Sequence, residues 1–391
     1  MSNIEYLIGS ERLAKRVLPV YSDEAINFLS DLSSELLHAS NIRAYPDVVS
    51  VAYWCRKGNL LKLREVYHSI NRLGRGLAFH IAPSNIPVNF VFSYFFSLLA
   101  GNANIVRVPS KPFPQVDMIC NAFRQVLPQH PQIAERTAFV AYPVNNEITA
   151  AFCKEADLRI IWGGDQTVAE MRQYPVKPKC IDIVFADRYS ICILNGDAIL
   201  ECTAQDLKNL AENFYNDTYL MDQNACSSPQ LILWRNGSNE AQTRFWDAVE
   251  KEAGNRYKLQ GMTAVEKYIH LCEDAIEYPE IQSFVRQHGN LLYRIQLSEL
   301  SKVETTALRG KGGYFYEYYL EDLGELCALI NAKYQTITYF GVHPEELRQI
   351  ILNNGLQGVD RIVPIGSAMN IGVFWDGYDI VTMLSRVVCT S

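Results

Sequence analysis

The chain has 391 residues, enough for one large domain or two medium ones with complete cores. Apolar residues make up 48% and charged residues 20%, which excludes a disordered or collagen-like chain. A net charge of −7 argues against an electrostatic nucleic-acid binder, so no nucleic acid is expected as a partner. The most apolar stretch, 88–100, is shorter than the roughly 20 apolar residues of a membrane span and reads as a buried helix. An acid near the first residues, with no long apolar run behind it, does not look like a secretion signal. The expectation is a cytoplasmic protein with no membrane span.

The first 70 residues read as mainly helical, with apolar stripes at helical spacing over 24–38 and 53–70. From Leu77 the pattern changes to short apolar runs over 76–81, 104–109, 137–141 and 158–162, alternating with helical segments at 114–127 and 148–154. Strand and helix in alternation predict a parallel sheet covered by helices. A second region opens near Asp197 with a polar helix over 205–215. The strand 230–234, a helix over 240–252 and mixed segments to Gly366 follow. Domains are therefore expected over 1–196 and 197–366, and the aromatic, acidic segment 367–391 has no legible role from pattern alone.

Ten cysteines form no C-x-x-C pair and seven histidines no H-x-x-x-H, so neither a zinc site nor another metal centre is expected. Most of the cysteines should be small buried hydrophobes. Cys226 stands apart because Asn224, Ala225, Ser227 and Ser228 flank it just before an apolar strand. Small polar neighbours let a substrate reach a thiol and leave backbone N–H groups for an oxyanion, although a further buried cysteine fits the same pattern. Asn85, between a strand and an apolar helix, suits either a ligand amide or a helix cap. Gly163 and Gly164, between strand and helix, suit either a phosphate at a helix N-terminus or a plain turn. Gly310-Lys311-Gly312-Gly313 lacks the rest of a phosphate-loop pattern and reads as a loop. The aromatics over 314–319 could line an acyl tunnel or form a buried strand.

In order along the chain, these segments resemble the aldehyde dehydrogenase superfamily, and within it the acyl-CoA reductases (long-chain fatty-acid reductases) of bacterial bioluminescence operons. Pro83-Ser84-Asn85-Ile86-Pro87 is similar to the superfamily segment whose Asn helps form the oxyanion hole. The segment from Gly101 to Lys111 is similar to the strand entering the cofactor ribose site, and Ile161-Trp162-Gly163-Gly164 to the pyrophosphate turn. Asp222-Gln223-Asn224-Ala225-Cys226-Ser227-Ser228-Pro229-Gln230 resembles the reductases' nucleophile loop. The segments 358–366 and Trp375-Asp376-Gly377-Tyr378-Asp379 resemble their C-terminal motifs.

The resemblance implies two α/β domains of aldehyde dehydrogenase-like fold with the active site in the cleft between them, and a final segment packing on the first domain or at a subunit interface. It implies Cys226 as nucleophile and Asn85 as oxyanion donor, with Arg107, Ser110, Lys111, Gly163 and Gly164 at the cofactor. A lysine where NAD-preferring relatives often carry an acid favours NADPH, because it would attract a 2′-phosphate. No glutamate matches the hydrolytic enzymes' base; Glu201 alone lies between Glu170 and Glu212. That departure fits acyl transfer to or from a thiol, with water kept out. The implied reaction is reduction of a thioester-activated fatty acyl group to the aldehyde through an acyl-cysteine. The implied donors are a long-chain acyl-CoA, an acyl carrier protein or an acylated partner enzyme of the acyl-protein synthetase type, and a homo-oligomer is expected. An acyl-transfer subunit without reductase activity, or a CoA-acylating dehydrogenase running oxidatively, shares most of these features.

Overall fold

The structure, a computed structural model, describes residues 4–14, 16–67, 71–83, 86–287 and 290–389. It comprises two compact units, Met1–Ala186 with Tyr378–Ser391, and Asp187–Gly377.

In the first unit six strands are ordered Glu5–Ile8, Thr137–Ala141, Ala103–Arg107, Leu77–Ile81, Leu158–Trp162 and Ile181–Phe185. Glu5–Ile8 runs antiparallel at the edge and the others are parallel. The interior strands are near-continuous apolar runs because helices pack over them, among them Asn89–Leu99, Asn146–Glu155 and Asp165–Arg172. From Leu77–Ile81 the chain steps outward to Thr137–Ala141, then returns to Leu158–Trp162 on the other side. This reversal places a topological switch point beyond Ile81 and Trp162, where open α/β sheets take ligands.

Every residue of the Asn89–Leu99 helix is buried. Its Ser93 Oγ lies 2.7 Å from His80 Nδ1 and accepts from Trp162 Nε1 at 3.1 Å, while His80 Nε2 meets Asn104 Oδ1 at 3.0 Å. Burial holds this imidazole neutral, its pKa pushed down to about 4. The helix is thus keyed to two adjacent strands by polar groups that satisfy one another.

Two expectations are corrected here. The helical stripe over 53–70 is broken at Cys55 into Pro46–Trp54 and Lys57–Tyr67, and residues 68–70 lie outside the described residues. Glu5–Ile8 is a strand, although the opening residues read as helical. Of the expected C-terminal segment 367–391, only the part from Tyr378 joins this unit, while residues up to Gly377 stay with the second: Ser385–Val387 pairs antiparallel with Arg72–Gly74. Tyr67 Oη donates to Asp379 Oδ1 at 2.7 Å, and Arg72 Nη2 donates to the Thr382 carbonyl at 2.6 Å.

The second unit holds seven strands ordered Ile281–Gln287, Leu292–Leu297, Tyr314–Leu320, Pro229–Arg235, Tyr189–Asn195, Tyr334–Phe340 and Arg361–Pro364. All but the first run parallel. Tyr189–Asn195 pairs with strands on both sides, so the units divide after Ala186 and not at Gly196 as expected. The aromatic run is the interior strand Tyr314–Leu320, with Tyr314, Phe315 and Tyr316 fully buried against neighbouring strands and helices.

Both ladders on Tyr189–Asn195 slip register at their amino ends. Ser190 faces Pro229 but Ile191 faces Leu231, and Tyr189 faces Tyr334 but Ser190 faces Thr336. Gln230 and Gln335 are the extra residues. A bulge of this kind re-aims a side chain out of the strand's alternation. Among the described residues, no helix is long and apolar enough to cross a membrane.

Candidate active site

Cys226 lies in the second unit, just before the amino end of Pro229–Arg235, and its side chain is half-buried. Accessibility alone does not single it out, since Cys180, Cys202 and Cys327 are also half-buried and Cys272 and Cys389 are exposed. The loop around it does. Asp222 and Gln223 adopt left-handed backbone, with φ of 52° and 60°, a conformation that non-glycine residues hold only when their surroundings fix them.

Here side chains do the fixing. Buried Gln223 donates from Nε2 to the Tyr314 carbonyl at 2.9 Å and to that of Pro229 at 3.1 Å. Its Oε1 accepts from the N–H groups of Tyr314 at 3.1 Å and Gly313 at 3.2 Å. Gln230, the bulge residue, donates to the Gln223 carbonyl at 3.1 Å and accepts from Gly310 N–H at 2.8 Å. Tyr257 Oη donates to Asp222 Oδ1 at 2.7 Å, and Ser190 Oγ to the Cys226 carbonyl at 2.6 Å.

The glycine-rich segment read as a loop is therefore the seat of the Cys226 loop. A Cβ on Gly313, at φ +87°, would lie 2.4 Å from the Leu291 carbonyl oxygen, so this position needs glycine. Beneath it, buried Lys267 donates to the carbonyls of Gly312 and Asn290, each at 2.7 Å.

A charged cluster faces the sulfur. Arg188 pairs with Asp360, pairs with Asp376 at 3.2 Å, and donates to the Tyr334 carbonyl at 3.1 Å. Gln335, the second bulge residue, donates from Nε2 to Asp376 Oδ1 at 3.1 Å. Burial, and then the Asp376 carboxylate, push the Cys226 thiol up to about 11, against Gln335, Arg188 and the residue's own backbone N–H. Arg361, whose guanidinium lies 4.2 Å from the Trp375 ring centroid, donates to the carbonyls of Ala368, Ser367 and Asn370.

Asp217 ties this arrangement to the following turn. Its carboxylate accepts from Gly366 N–H at 2.6 Å and Ala368 N–H at 3.0 Å, and its carbonyl accepts from Ser228 Oγ at 2.7 Å. Burial raises its pKa to about 7 even so. A carboxyl that ionises near 3.8 in the unfolded chain and near 7 in the folded one costs stability as pH rises through that window. Between about pH 5 and about pH 8, the unfolding free energy from urea melts should fall more for the wild type than for Asp217→Asn, by up to roughly 2 kcal/mol. Equal slopes would remove Asp217 as the titrating group.

The first unit carries the residues expected at a cofactor. Trp162 stacks on Phe185 with centroids 3.7 Å apart, and Gly163 N–H donates to the Phe185 carbonyl at 3.1 Å. Gly164 caps the Asp165–Arg172 helix, and a Cβ there would meet nothing within 4 Å. Packing gives no reason for this glycine, whereas an approaching phosphate would. The turn therefore fits a dinucleotide, although Asp165 places an acid in the same first turn.

Ser110 and Lys111 are exposed, with Lys111 Nζ 5.3 Å from the Phe113 centroid. Arg107 is engaged elsewhere: it stacks on the Tyr142 ring at 4.4 Å and donates to the Tyr142 carbonyl at 3.4 Å. Asn85 lies outside the described residues.

Of the predicted residues, the structure places Gly163 and Gly164 in one turn and Arg107 at the end of a strand separated from that turn's strand by Leu77–Ile81. Sequence reading missed Gln223, Gln230, Gln335, Arg188, Asp360, Asp376 and Asp217. Gln223, Gln230, Asp360 and Asp376 stood inside the motifs quoted above. Nothing local marks Gln335 or Arg188.

Residues 47–259 match the family described as acyl-CoA reductase (LuxC). Over 194 residues, 48% of this chain and 37% of the relative, the sequence is 28% identical to long-chain acyl-protein thioester reductase 2 of Photobacterium leiognathi. It is 29% identical over 166 residues, 41% of this chain, to the long-chain acyl-protein thioester reductase of Vibrio harveyi, of which 32% is covered. The chain thus spans only about a third of the length of these curated relatives. Among solved structures, aldehyde dehydrogenase 21 of Physcomitrella patens superposes with a TM-score of 0.62 at 11% identity, over 93% of this chain and 84% of that one. An NAD-dependent benzaldehyde dehydrogenase of Corynebacterium glutamicum gives 0.62 at 12% identity, over 94% and 85%. These likenesses establish an aldehyde dehydrogenase-like α/β fold. With more than half of its residues inside the family match, the chain belongs to the acyl-CoA reductase (LuxC) family.

Proposed function

We propose that the protein reduces a thioester-activated fatty acyl group to the aldehyde with NADPH, through an acyl-Cys226 intermediate. The observation that carries this reading is the Cys226 loop, where Gln223, Gln230 and Ser190 spend their hydrogen bonds holding one thiol in place. The relatives' names favour an acylated protein as donor, with an acyl-CoA or acyl carrier protein as the alternatives.

In the proposed reaction the Cys226 thiolate attacks the thioester carbonyl, a new C–S bond forms, and the donor's thiolate departs. Exchange of one thioester for another is nearly balanced in energy, so the protein's contribution is orientation and oxyanion stabilisation. The Asn85 amide and the Cys226 backbone N–H are the proposed oxyanion donors. A reduced nicotinamide dinucleotide, when held at the Gly163–Gly164 turn, would supply the hydride that the acyl carbon needs. Collapse of the thiohemiacetal then expels the aldehyde and returns the Cys226 thiolate. Gly163 and Gly164 would hold the pyrophosphate, and Ser110 and Lys111 the adenine ribose and its 2′-phosphate.

Water must be kept from the acyl-enzyme. Glu201 is exposed at the end of the Gly196–Glu201 helix. The Asp376 side chain, only 4% exposed, is engaged by Arg188 and Gln335. A carboxylate so committed is a poor base for hydrolysis.

Intact-mass analysis after mixing with long-chain acyl-CoA or acylated carrier protein should show one acyl adduct, discharged to free aldehyde by NADPH. An adduct that persists with both NADPH and NADH would make the protein an acyl-transfer subunit instead. Lys111→Ala should lower kcat/KM for NADPH about tenfold and leave NADH within about twofold, the size of one charge-assisted hydrogen bond. An unchanged preference would remove Lys111 from the 2′-phosphate.

A further inference from the structure

The Gly261–Glu277 helix of the second unit is amphipathic in the reverse sense. A surface helix ordinarily turns its apolar stripe to the core and its charges to water. On this one the side facing inward is mostly polar. Buried Lys267 donates to the Gly312 and Asn290 carbonyls, and buried Asp274 accepts from the hydroxyls of Tyr314 and Tyr316, each at 2.6 Å. His270 Nε2 lies 3.1 Å from Tyr316 Oη, and Leu271 is the one buried apolar side chain on the helix. Met262, Val265, Ile269 and Ile276, by contrast, are each at least half exposed. With exposed Cys272 they follow one another at alternating steps of three and four, which makes a single row along the helix. The inward contacts fix the helix about its own axis. Turning the row to the core would strand the Lys267 ammonium and the Asp274 carboxylate.

We propose that this row docks an amphipathic helix of a partner protein, one whose apolar seam is flanked by Lys or Arg. The inference goes beyond the proposed reaction and does not rest on the role of Cys226. An exposed apolar row at this spacing suits a helix laid along it. Charge then selects the occupant. Exposed Glu266, Glu273 and Glu277 line one edge of the row, and uncharged Tyr268 and Ala275 the other. In a helix pair the residues beside the seam face one another and decide which partners are accepted. Two antiparallel copies of this chain, crossing at Ile269, would bring Glu266 and Glu273 together, like charge against like. A parallel copy would offer Glu273 only the Tyr268 edge, with no charge to answer it. An anionic lipid surface is disfavoured by the same acids, since helices that lie on such surfaces carry Lys and Arg beside their apolar face. A basic helix alone satisfies both the row and its edge.

Two dye-labelled helical peptides of about five turns serve as probes, each with leucine along its seam. One carries lysine beside the seam and the other glutamate, and fluorescence anisotropy follows their binding to the full chain. The lysine peptide should bind about tenfold or more tightly than the glutamate peptide, and the preference should shrink as salt is raised. Val265→Ser combined with Ile269→Ser should weaken the lysine peptide about tenfold, because it removes the central anchors. Glu266→Lys combined with Glu273→Lys keeps the row and should reverse the preference between the peptides. All four side chains are exposed, so both variants should fold, and the charge-reversed one decides the matter if the serine variant does not. Failure of both peptides to bind, or equal binding of the two, overturns the proposal. So does lysine-peptide binding that a folded serine variant leaves unchanged. Sedimentation of the peptide-free protein completes the test. A concentration-dependent dimer that the serine variant abolishes would give the row to a second copy and overturn the proposal as well.

Discussion

Cys226→Ala is expected to abolish both the acyl adduct and NADPH-dependent aldehyde formation, a loss on the order of 10³-fold or more, while the protein remains folded. The size follows from the role: with the nucleophile gone, no acyl-enzyme forms and only positioning of the bound reactants is left. Stability should change little. The loop is held by Gln223, Gln230 and the backbone of Gly310, Gly313 and Tyr314, none of which needs the sulfur. Intact mass, aldehyde release and a urea melt on the same preparation check all three statements. Wild-type aldehyde formation by the alanine variant would move the nucleophile elsewhere, whereas loss of activity together with loss of fold would leave the role of the thiol unproven.

The largest expected effect on stability lies far from any chemistry. Glu317, 1% exposed on the interior strand Tyr314–Leu320, accepts from the indole N–H groups of Trp234 at 2.7 Å and Trp246 at 2.8 Å. It also accepts from Arg294 Nε at 2.6 Å and Gln242 Nε2 at 3.2 Å. One carboxylate satisfies three buried donors and a partly buried guanidinium whose side chain is 12% exposed. Glu317→Ala would strand that cation and both indoles, so the second unit should lose about 3–5 kcal/mol. Glu317→Gln keeps one acceptor oxygen and sets an N–H against a donor, so its loss should be smaller but clear. Urea unfolding followed by tryptophan fluorescence suits the question, since two of the chain's five tryptophans touch the carboxylate. An unchanged midpoint for the alanine variant would mean that water reaches the cluster and satisfies it.

The fold was largely legible because parallel strands buried on both faces must be short apolar runs, and such runs at 137–141 and 158–162 coincide with strands. The Cys226 loop drew attention for a different reason: small polar residues before an apolar strand are unusual enough to notice. What escaped detection depends on geometry that sequence does not write down. Gln335 sits within Tyr-Gln-Thr-Ile-Thr and looks like any polar residue on an alternating strand; the slipped register and its bond to Asp376 are seen only in the structure. Arg188 meets Asp360 and Asp376 from far along the chain, so no local spacing could pair them. The break at Cys55 escaped because the apolar stripe continues across it. Glu5–Ile8 was missed because four residues, only one of them fully buried, give too short a pattern to read.

The return of the chain to the first unit bears on the order of folding during synthesis. Asp187–Gly377 is continuous in sequence and can complete its sheet once those residues have emerged. The first unit is not continuous. The Arg72–Gly74 strand acquires its ladder partner, and Tyr67 its Asp379 acceptor, only after the whole of the second unit has been made. The amino-terminal half therefore waits on the ribosome with an unpaired edge, and the later half is the one able to fold first. Nascent chains arrested before Tyr378 should carry a protease-resistant second unit beside a first unit still open to cleavage near Arg72.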